Sequence, residues 1–150
     1  MDENLSYIYA KAFASLGFNM ISVQEAFGRK GVPDEEFIPW LGEKGHEKAV
    51  WITQDFEARE DKNKVKLILA SNISILWIRS ERKKISLTGL QELQLLALVI
   101  APVTQLISDT KQPLYMWASL KGMKPKLFKL ISSLASKKIE MKPINLTQLP

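Results

Sequence analysis

Two apolar runs decide the fold of this chain: residues 49–53 read Ala-Val-Trp-Ile-Thr, and residues 73–78 read Ile-Ser-Ile-Leu-Trp-Ile. Neither run alternates apolar with charged residues, which is typical of strands buried on both faces of a parallel sheet. Between them, residues 61–70 are predicted to form a helix. This order of strand, helix and strand predicts an α/β fold on a mostly parallel sheet.

The elements before this unit are predicted from apolar spacing and turn signals. Apolar residues at helical spacing predict a helix over residues 5–16. Residues 20–23, Met-Ile-Ser-Val, predict a short strand. Residues 33–36, Pro-Asp-Glu-Glu, predict the start of a second helix with Asp34 as its N-cap.

After the unit, residues 88–91 read Thr-Gly-Leu-Gln and have the spacing of a capping box. They predict a long helix to about Ser108, with a kink or an end at Pro102. The predicted order of elements is therefore helix, strand, helix, strand, helix, strand and helix. Residues 132–150 are Lys-rich with little periodicity, so we expect a loosely docked basic extension there.

The composition of the chain limits its chemistry. Of 150 residues, 46% are hydrophobic, which is enough for the core of one domain. There is no cysteine, which excludes disulfides and thiol catalysis, and the single histidine disfavours zinc sites and Ser-His-Asp catalysis. Because the acidic N-terminus shows no export signal, we expect a cytoplasmic protein without a membrane partner.

Charge is divided unevenly along the chain. Residues 1–62 carry a net charge of −5, and residues 63–150 carry a net charge of +10. Carboxylates that hold cations, beside a basic flank that holds phosphates, suit a metal-dependent enzyme acting on a polyanion. A solvated lysine-rich surface is the alternative explanation of the basic half.

Acidic residues form three clusters where strands end or helices begin: Asp2-Glu3-Asn4, Asp34-Glu35-Glu36, and Asp55 with Glu57. In open α/β sheets such positions converge on one crevice at the carboxyl edge of the sheet. Oxygen ligands without histidine or cysteine suit Mg²⁺ or Mn²⁺, which support phosphodiester hydrolysis. Each cluster also has a structural alternative: a polar terminus, a helix cap and a turn after a strand.

These clusters lie in stretches that resemble the PIN-like nucleases, especially the VapC-type toxin branch of that superfamily. The stretches are residues 2–5, Asp-Glu-Asn-Leu; residues 31–41, Gly-Val-Pro-Asp-Glu-Glu-Phe-Ile-Pro-Trp-Leu; and residues 51–59, Trp-Ile-Thr-Gln-Asp-Phe-Glu-Ala-Arg. The resemblance implies a PIN-like domain over residues 1–131, followed by the basic extension. It also implies a Rossmann-like three-layer sandwich, Mg²⁺ or Mn²⁺ as cofactor, ribonuclease activity and an antitoxin that blocks the site.

The resemblance also implies roles for individual acids. Carried over by position, the metal ligands and their helpers in catalysis are Asp2, Asp34, Asp55, Glu35, Glu36 and Glu57, of which the first three hold the metal. In that family a buried strand precedes the first Asp, whereas only Met1 precedes it here. We therefore expect a missing or truncated first strand and a less stable domain.

RNA contacts are expected from the basic side chains Arg59, Arg79, Arg82, Lys121, Lys124 and Lys126. An exposed basic loop is the alternative for those that follow the second apolar run. The sequence thus predicts a metal-dependent endoribonuclease that binds RNA and forms a homodimer, as the toxin of a toxin-antitoxin pair. The alternatives are a non-catalytic PIN-like module that binds RNA or a protein, and a nuclease that acts on DNA.

Overall fold

A mixed sheet runs through the part of the chain that a computed structural model describes, which is residues 1, 5, 7–45, 48–80, 87–121 and 124–148. Its strands lie side by side in chain order: β1 Val50–Thr53, β2 Ser74–Ile78, β3 Tyr115–Lys121, β4 Lys124–Leu130 and β5 Met141–Ile144. The pairs β1–β2 and β2–β3 are parallel, and the pairs β3–β4 and β4–β5 are antiparallel. With its helices, this sheet confirms the predicted α/β class.

Helices precede and connect the strands. They are α1 Tyr7–Ser15, α2 Val23–Phe27, α3 Asp34–Gly45, α4 Lys62–Ser71 and α5 Gly89–Ser108, with short 3₁₀ helices at Phe56–Arg59 and Leu146–Gln148. Two of these helices, α4 and α5, begin with an N-cap residue whose side chain accepts hydrogen bonds from the first turn. The Asp61 side chain accepts hydrogen bonds from the first turn of α4, and Thr88 forms the predicted capping box with Gln91.

The sheet separates two buried clusters. On one face, Ile52 of β1 and Leu76 of β2 pack with α1 and α5. On the other face, Trp51 of β1 and Ile75 of β2 pack with α3 and α4. Successive strand residues thus face opposite helical layers, which explains why both apolar runs lack alternation. The predicted three-layer arrangement is confirmed.

Helix α5 is, by length and composition alone, long and apolar enough to cross a membrane, and no other helix of the described residues is. Its buried side chains, including Leu96, Val99 and Val103, pack on the sheet, while Leu90 and Leu98 are exposed. The helix does not end at Pro102, although proline removes a main-chain donor there. Apolar burial on both sides of the proline keeps the helix continuous.

The predicted strand at residues 20–23 is wrong. Ser22 caps α2 instead, since its hydroxyl accepts a hydrogen bond from the Glu25 amide at 3.1 Å, and Val23 is the first residue of that helix. The neighbouring backbone pairs with Met1: the Met1 amino group donates to the Ile21 carbonyl at 2.8 Å, and the Val23 amide donates to the Met1 carbonyl at 3.0 Å.

Residues 132–148 do not form the loosely docked extension that their composition predicts. The chain after β3 turns back as β4, and β5 then pairs with β4, with Leu127 opposite Ile144. Leu134, between these strands, is only 2% exposed and belongs to the core on the α3–α4 face. Residues 132–148 therefore complete the sheet and its packing, although their composition is polar.

Strand β1 lies at the edge of the sheet within the described part of the chain. A groove of about 560 Å³ runs beside it, and its apolar lining includes Met1, Met20, Val50, Ile52 and Ile107. In the described part of the chain, this groove rather than a further strand lies beside the open edge of β1.

Candidate active site at the carboxyl edge of the sheet

Two predicted metal ligands meet at one lysine. The Lys64 ammonium nitrogen lies 2.6 Å from Asp34 Oδ2 and 3.3 Å from Asp55 Oδ2. The three side chains come from α4, from the first residue of α3, and from the segment after β1. They are partly buried, with exposed fractions of 27% for Lys64, 21% for Asp34 and 29% for Asp55. The fold thus brings Asp34 and Asp55 together, as the sequence predicts.

Hydrogen bonds hold Asp55 in place after β1. Its amide donates to Thr53 Oγ1 at 2.9 Å, and its Oδ1 accepts from the Ala58 amide at 3.1 Å, which starts the 3₁₀ helix. Its carbonyl accepts from the indole nitrogen of Trp77 at 3.0 Å. Because Oδ1 and the main chain are fixed in this way, Oδ2 is directed to Lys64.

Asp34 is positioned by the start of α3. The helix begins at Asp34 itself, so the residue occupies the first helical position instead of the predicted N-cap. The carbonyl of Pro33 accepts from the amides of Glu36 and Phe37 and closes the first turn. A carboxylate at this end of a helix is favoured by the helix dipole, and the Asp34 carboxylate is directed to Lys64.

Sequence reasoning missed Lys64, the cation of this site. It lies in the first turn of α4, where its amide also donates to the Asp61 cap at 3.3 Å. The hydrogen bond that its side chain donates to Asp34 raises the pKa of the ammonium group, although burial opposes this, and the charges of Asp34 and Asp55 add to the increase. Lys64 is therefore positively charged at neutral pH. Nothing in its local sequence distinguishes it from the neighbouring Lys62 and Lys66.

A second polar group, also missed, lies beside the first. The Gln54 amide donates to the carboxylate of Glu92, which belongs to the first turn of α5. Burial raises the pKa of the Tyr9 hydroxyl, and the nearby Glu92 raises it further. The Tyr9 hydroxyl donates to the Gly89 carbonyl at 2.8 Å. Glu92 has the same placement as the predicted acidic residues, because it lies in the first turn of a helix whose start faces the carboxyl ends of the strands.

Two of the remaining predicted acids, Glu35 and Glu36, form no ion pair with Lys64. Glu35 is exposed, and Glu36 forms an ion pair with Arg29 in which both side chains are nearly half exposed. Glu57 lies in the 3₁₀ helix after Asp55, but its side chain, like the whole of Asp2, lies outside the described residues.

Some predicted RNA-binding residues lie at the same edge of the sheet. Arg79 follows β2, Lys121 ends β3, and Lys124 begins the antiparallel β4, so all three are at the edge that carries Asp55. Lys126 lies further along β4, opposite Ser119.

The other two predicted RNA-binding residues are elsewhere or undescribed. Arg59 donates to the Ser136 carbonyl at 3.5 Å, which directs its guanidinium toward the loop before β5. Arg82 lies outside the described residues.

The side chains at this site can be compared with the ligands that a divalent metal ion requires. Among the described residues, no group of three or more Asp, Glu or His side chains is close enough together to hold one. Asp34 and Asp55 supply two carboxylates, the ligand type that Mg²⁺ and Mn²⁺ prefer, and the cation that they contact in this structure is the Lys64 ammonium. The two donors therefore fit part of a Mg²⁺ or Mn²⁺ ligand set.

The three layers, with Asp34 and Asp55 at the strand ends, are those of an α/β fold in which ligands typically bind at the carboxyl edge of the sheet. The chain belongs to the PIN-like domain family, because the sequence model of that family matches residues 1–80. The match includes Asp34, Asp55 and Lys64 and ends just after β2. No curated protein and no solved structure is similar enough to the chain to count as a match.

Proposed function

We propose that the protein is a metal-dependent endoribonuclease. PIN-like domains are often nucleases. The observation that supports the proposal is the convergence of Asp34 and Asp55, from two separate elements, on one cation at the carboxyl edge of the sheet. Cations held by paired carboxylates at such a position are the usual basis of phosphodiester hydrolysis.

In this proposal Asp34 and Asp55, with Asp2, hold Mg²⁺ or Mn²⁺. Such an ion, when bound, would supply a nucleophilic water and neutralise charge on the phosphate. The chain itself supplies rigidity: Thr53, Ala58 and Trp77 fix Asp55 by hydrogen bonds, so little reorganisation is required when a cation binds.

The basic residues at the same edge bind the RNA backbone in this proposal. Lys121 lies two strands away from β1 and four residues beyond Trp117, the β3 residue that is level with the end of β1. In this proposal, an RNA backbone that contacts Lys121, Lys124 and Arg79 runs along the carboxyl edge toward the acidic pair. Such contacts provide affinity without base preference.

We propose further that the protein belongs to the VapC-type toxin branch, with a cognate antitoxin that blocks the acidic site, a homodimeric state and a cytoplasmic location. The support for this assignment is the resemblance of residues 31–41 and 51–59. The assignment is testable by expression, since a toxin arrests growth when it is produced without its antitoxin.

The second candidate function is a non-catalytic PIN-like module that binds RNA or a protein. The observation that favours it is the Lys64 ammonium, which partly neutralises the acidic pair without any metal. Binding by such a module would survive chelation of divalent ions, whereas cleavage would not.

Cleavage of a mixed tRNA and rRNA pool in Mn²⁺ distinguishes the two functions. Asp55→Asn keeps the oxygen that accepts from Ala58 but loses the charge, so we expect folded protein without cleavage. Asp109→Asn is the matched control, because Asp109 lies at the far end of α5.

Cuts that disappear with EDTA and with Asp55→Asn, but persist in Asp109→Asn, support the nuclease. Absence of cuts by the folded chain supports the binding module, and cleavage of single-stranded DNA but not RNA supports the DNA-directed alternative.

A further inference from the structure

We propose that Lys64 is a built-in competitor for the metal: its ammonium group occupies the position between Asp34 and Asp55, and a divalent ion must displace it in order to bind. This inference rests on the proposed metal site. It adds a residue that sets how tightly the site holds a metal, and hence the metal concentration at which the site fills.

The geometry supports one cation between the two acids. Lys64 Nζ is within ion-pair distance of both Asp34 Oδ2 and Asp55 Oδ2, at 2.6 and 3.3 Å. A divalent ion bound by the same oxygens would lie at the place of the ammonium group, since metal–oxygen distances are about 2.0–2.6 Å. The two cations therefore exclude each other by contact as well as by charge.

The backbone around Lys64 is fixed, but its side chain can move away. Asp61 caps α4 through the amides of Asn63 and Lys64, and α4 packs closely against α3 at Gly42. The lysine side chain, by contrast, is a flexible four-carbon stem, and 27% of it is exposed to solvent. Displacement by a metal therefore requires a rotamer change of one side chain and no rearrangement of the helices.

Charge balance explains why competition is expected. With Lys64 in place, the three side chains carry a net charge of −1, and a divalent ion would meet a site whose negative charge is already partly neutralised. Removal of the ammonium leaves two carboxylates in proximity, which is an arrangement that attracts cations strongly. Loss of the Lys64 charge should therefore increase the affinity for a divalent metal.

The test is a Mn²⁺ titration followed by electron paramagnetic resonance, with Mn²⁺ alone as the probe. We expect Lys64→Gln to bind Mn²⁺ about tenfold more tightly than the unaltered chain, equivalent to about 1.4 kcal/mol. Lys64→Arg keeps the charge and should bind as weakly as the unaltered chain. Lys66→Gln, an exposed lysine on the same helix, controls for the change in net charge.

Each result decides a separate point. Equal Mn²⁺ affinities of the unaltered chain and Lys64→Gln would overturn the inference and leave the metal site standing. Absence of Mn²⁺ binding in every variant, each shown to be folded by circular dichroism, would overturn the metal site and the inference with it. An equal gain of affinity in Lys66→Gln would overturn the specific role of Lys64.

A second measurement uses only the unaltered chain, so its result does not depend on whether the variants fold. Amine-reactive labelling, followed by mass spectrometry, reports the accessibility of each lysine. We expect a saturating amount of Mg²⁺ to accelerate labelling of Lys64 and to leave labelling of Lys66 unchanged. Unchanged labelling of Lys64 in the presence of bound metal would overturn the inference.

Discussion

The indole nitrogen of Trp77 donates a hydrogen bond of 3.0 Å to the main-chain carbonyl of Asp55. Trp77 is 1% exposed and lies opposite Thr53 in the parallel β1–β2 ladder. One residue thus contributes both to the core on the α3–α4 face and to the position of the acidic site. The stability of this domain and its proposed activity should therefore be connected at Trp77.

Trp77→Phe tests this connection. The phenyl ring keeps most of the apolar contacts of Trp77 but lacks the indole N–H donor. We expect the free energy of unfolding to fall by about 2 kcal/mol, because the smaller ring leaves a cavity and the Asp55 carbonyl loses this hydrogen bond. Cleavage and Mn²⁺ affinity should fall as well, because the backbone of Asp55 is released. Urea unfolding and initial cleavage rates measure the two effects.

Trp51→Phe is the matched control. Trp51 is also 1% exposed in the same cluster, and its indole nitrogen has no hydrogen-bond partner among the described residues. Its replacement should reduce stability through lost volume and leave the cleavage rate of the folded fraction unchanged. If both variants lose activity to the same extent, the hydrogen bond from Trp77 is not what positions Asp55.

The ion pairs of Lys64 should differ in strength. Partly exposed ion pairs typically contribute about 0.2–1 kcal/mol, and the pair with Asp34 is shorter than the pair with Asp55. A double-mutant cycle with Lys64→Met and Asp34→Asn should therefore give a larger coupling free energy than the cycle with Asp55→Asn. Urea unfolding of the single and double variants measures both.

An exposed ion pair provides the reference for these cycles. Lys138 and Glu140 are 3.7 Å apart, and their side chains are 86% and 55% exposed, so their coupling should be close to zero. A coupling for Lys64 and Asp34 no larger than this reference would contradict the geometry of the site.

The sequence was sufficient for the central elements because their signals are local. The buried strands β1 and β2 follow from uninterrupted apolar runs, and the start of α5 follows from the spacing of Thr88 and Gln91. The convergence of Asp34 and Asp55 also follows from topology, because the carboxyl end of a central strand and the start of a helix meet at one edge.

The parts that could not be predicted depend on contacts between distant residues. Strand β4 reads Lys-Pro-Lys-Leu-Phe-Lys-Leu, which resembles a basic surface segment, and only its pairing with β3 and β5 makes it a strand. Lys64 belongs to the site because α4 packs against α3, and its neighbours Lys62 and Lys66 are exposed. Tertiary packing, rather than residue type, places Lys64 at the site.

The close approach of α3 and α4 leads to a prediction at Gly42. A Cβ atom there would lie 2.5 Å from the carbonyl oxygen of Ser71, which belongs to the backbone of α4. Glycine to alanine inside a helix normally stabilises by about 0.5–1 kcal/mol. Here the clash should reverse the sign, so we expect Gly42→Ala to cost about 1–3 kcal/mol.

Thermal unfolding of two alanine variants measures this effect. Gly89→Ala is the control, because a Cβ atom at Gly89 meets only the hydroxyl end of the Tyr9 side chain, at 3.0 Å, and that side chain can shift. We expect a lower melting temperature for Gly42→Ala and little change for Gly89→Ala. A melting temperature of Gly42→Ala equal to or above that of the unaltered chain would contradict the α3–α4 contact on which the position of Lys64 depends.

The basic residues at the carboxyl edge should determine how salt affects RNA binding. Each phosphate contact to single-stranded RNA releases counterions and contributes about 0.7 to the slope of log affinity against log salt concentration. Lys121→Ala and Lys124→Ala should each weaken binding and reduce that slope by about 0.7, in the presence of EDTA so that RNA stays intact. Lys111→Ala removes the same charge from the opposite edge, in the connection between α5 and β3, and should have little effect. If Lys111→Ala lowers the slope as much as the other two, the RNA does not cross the edge that carries Asp34 and Asp55, and the proposed path of the backbone is wrong.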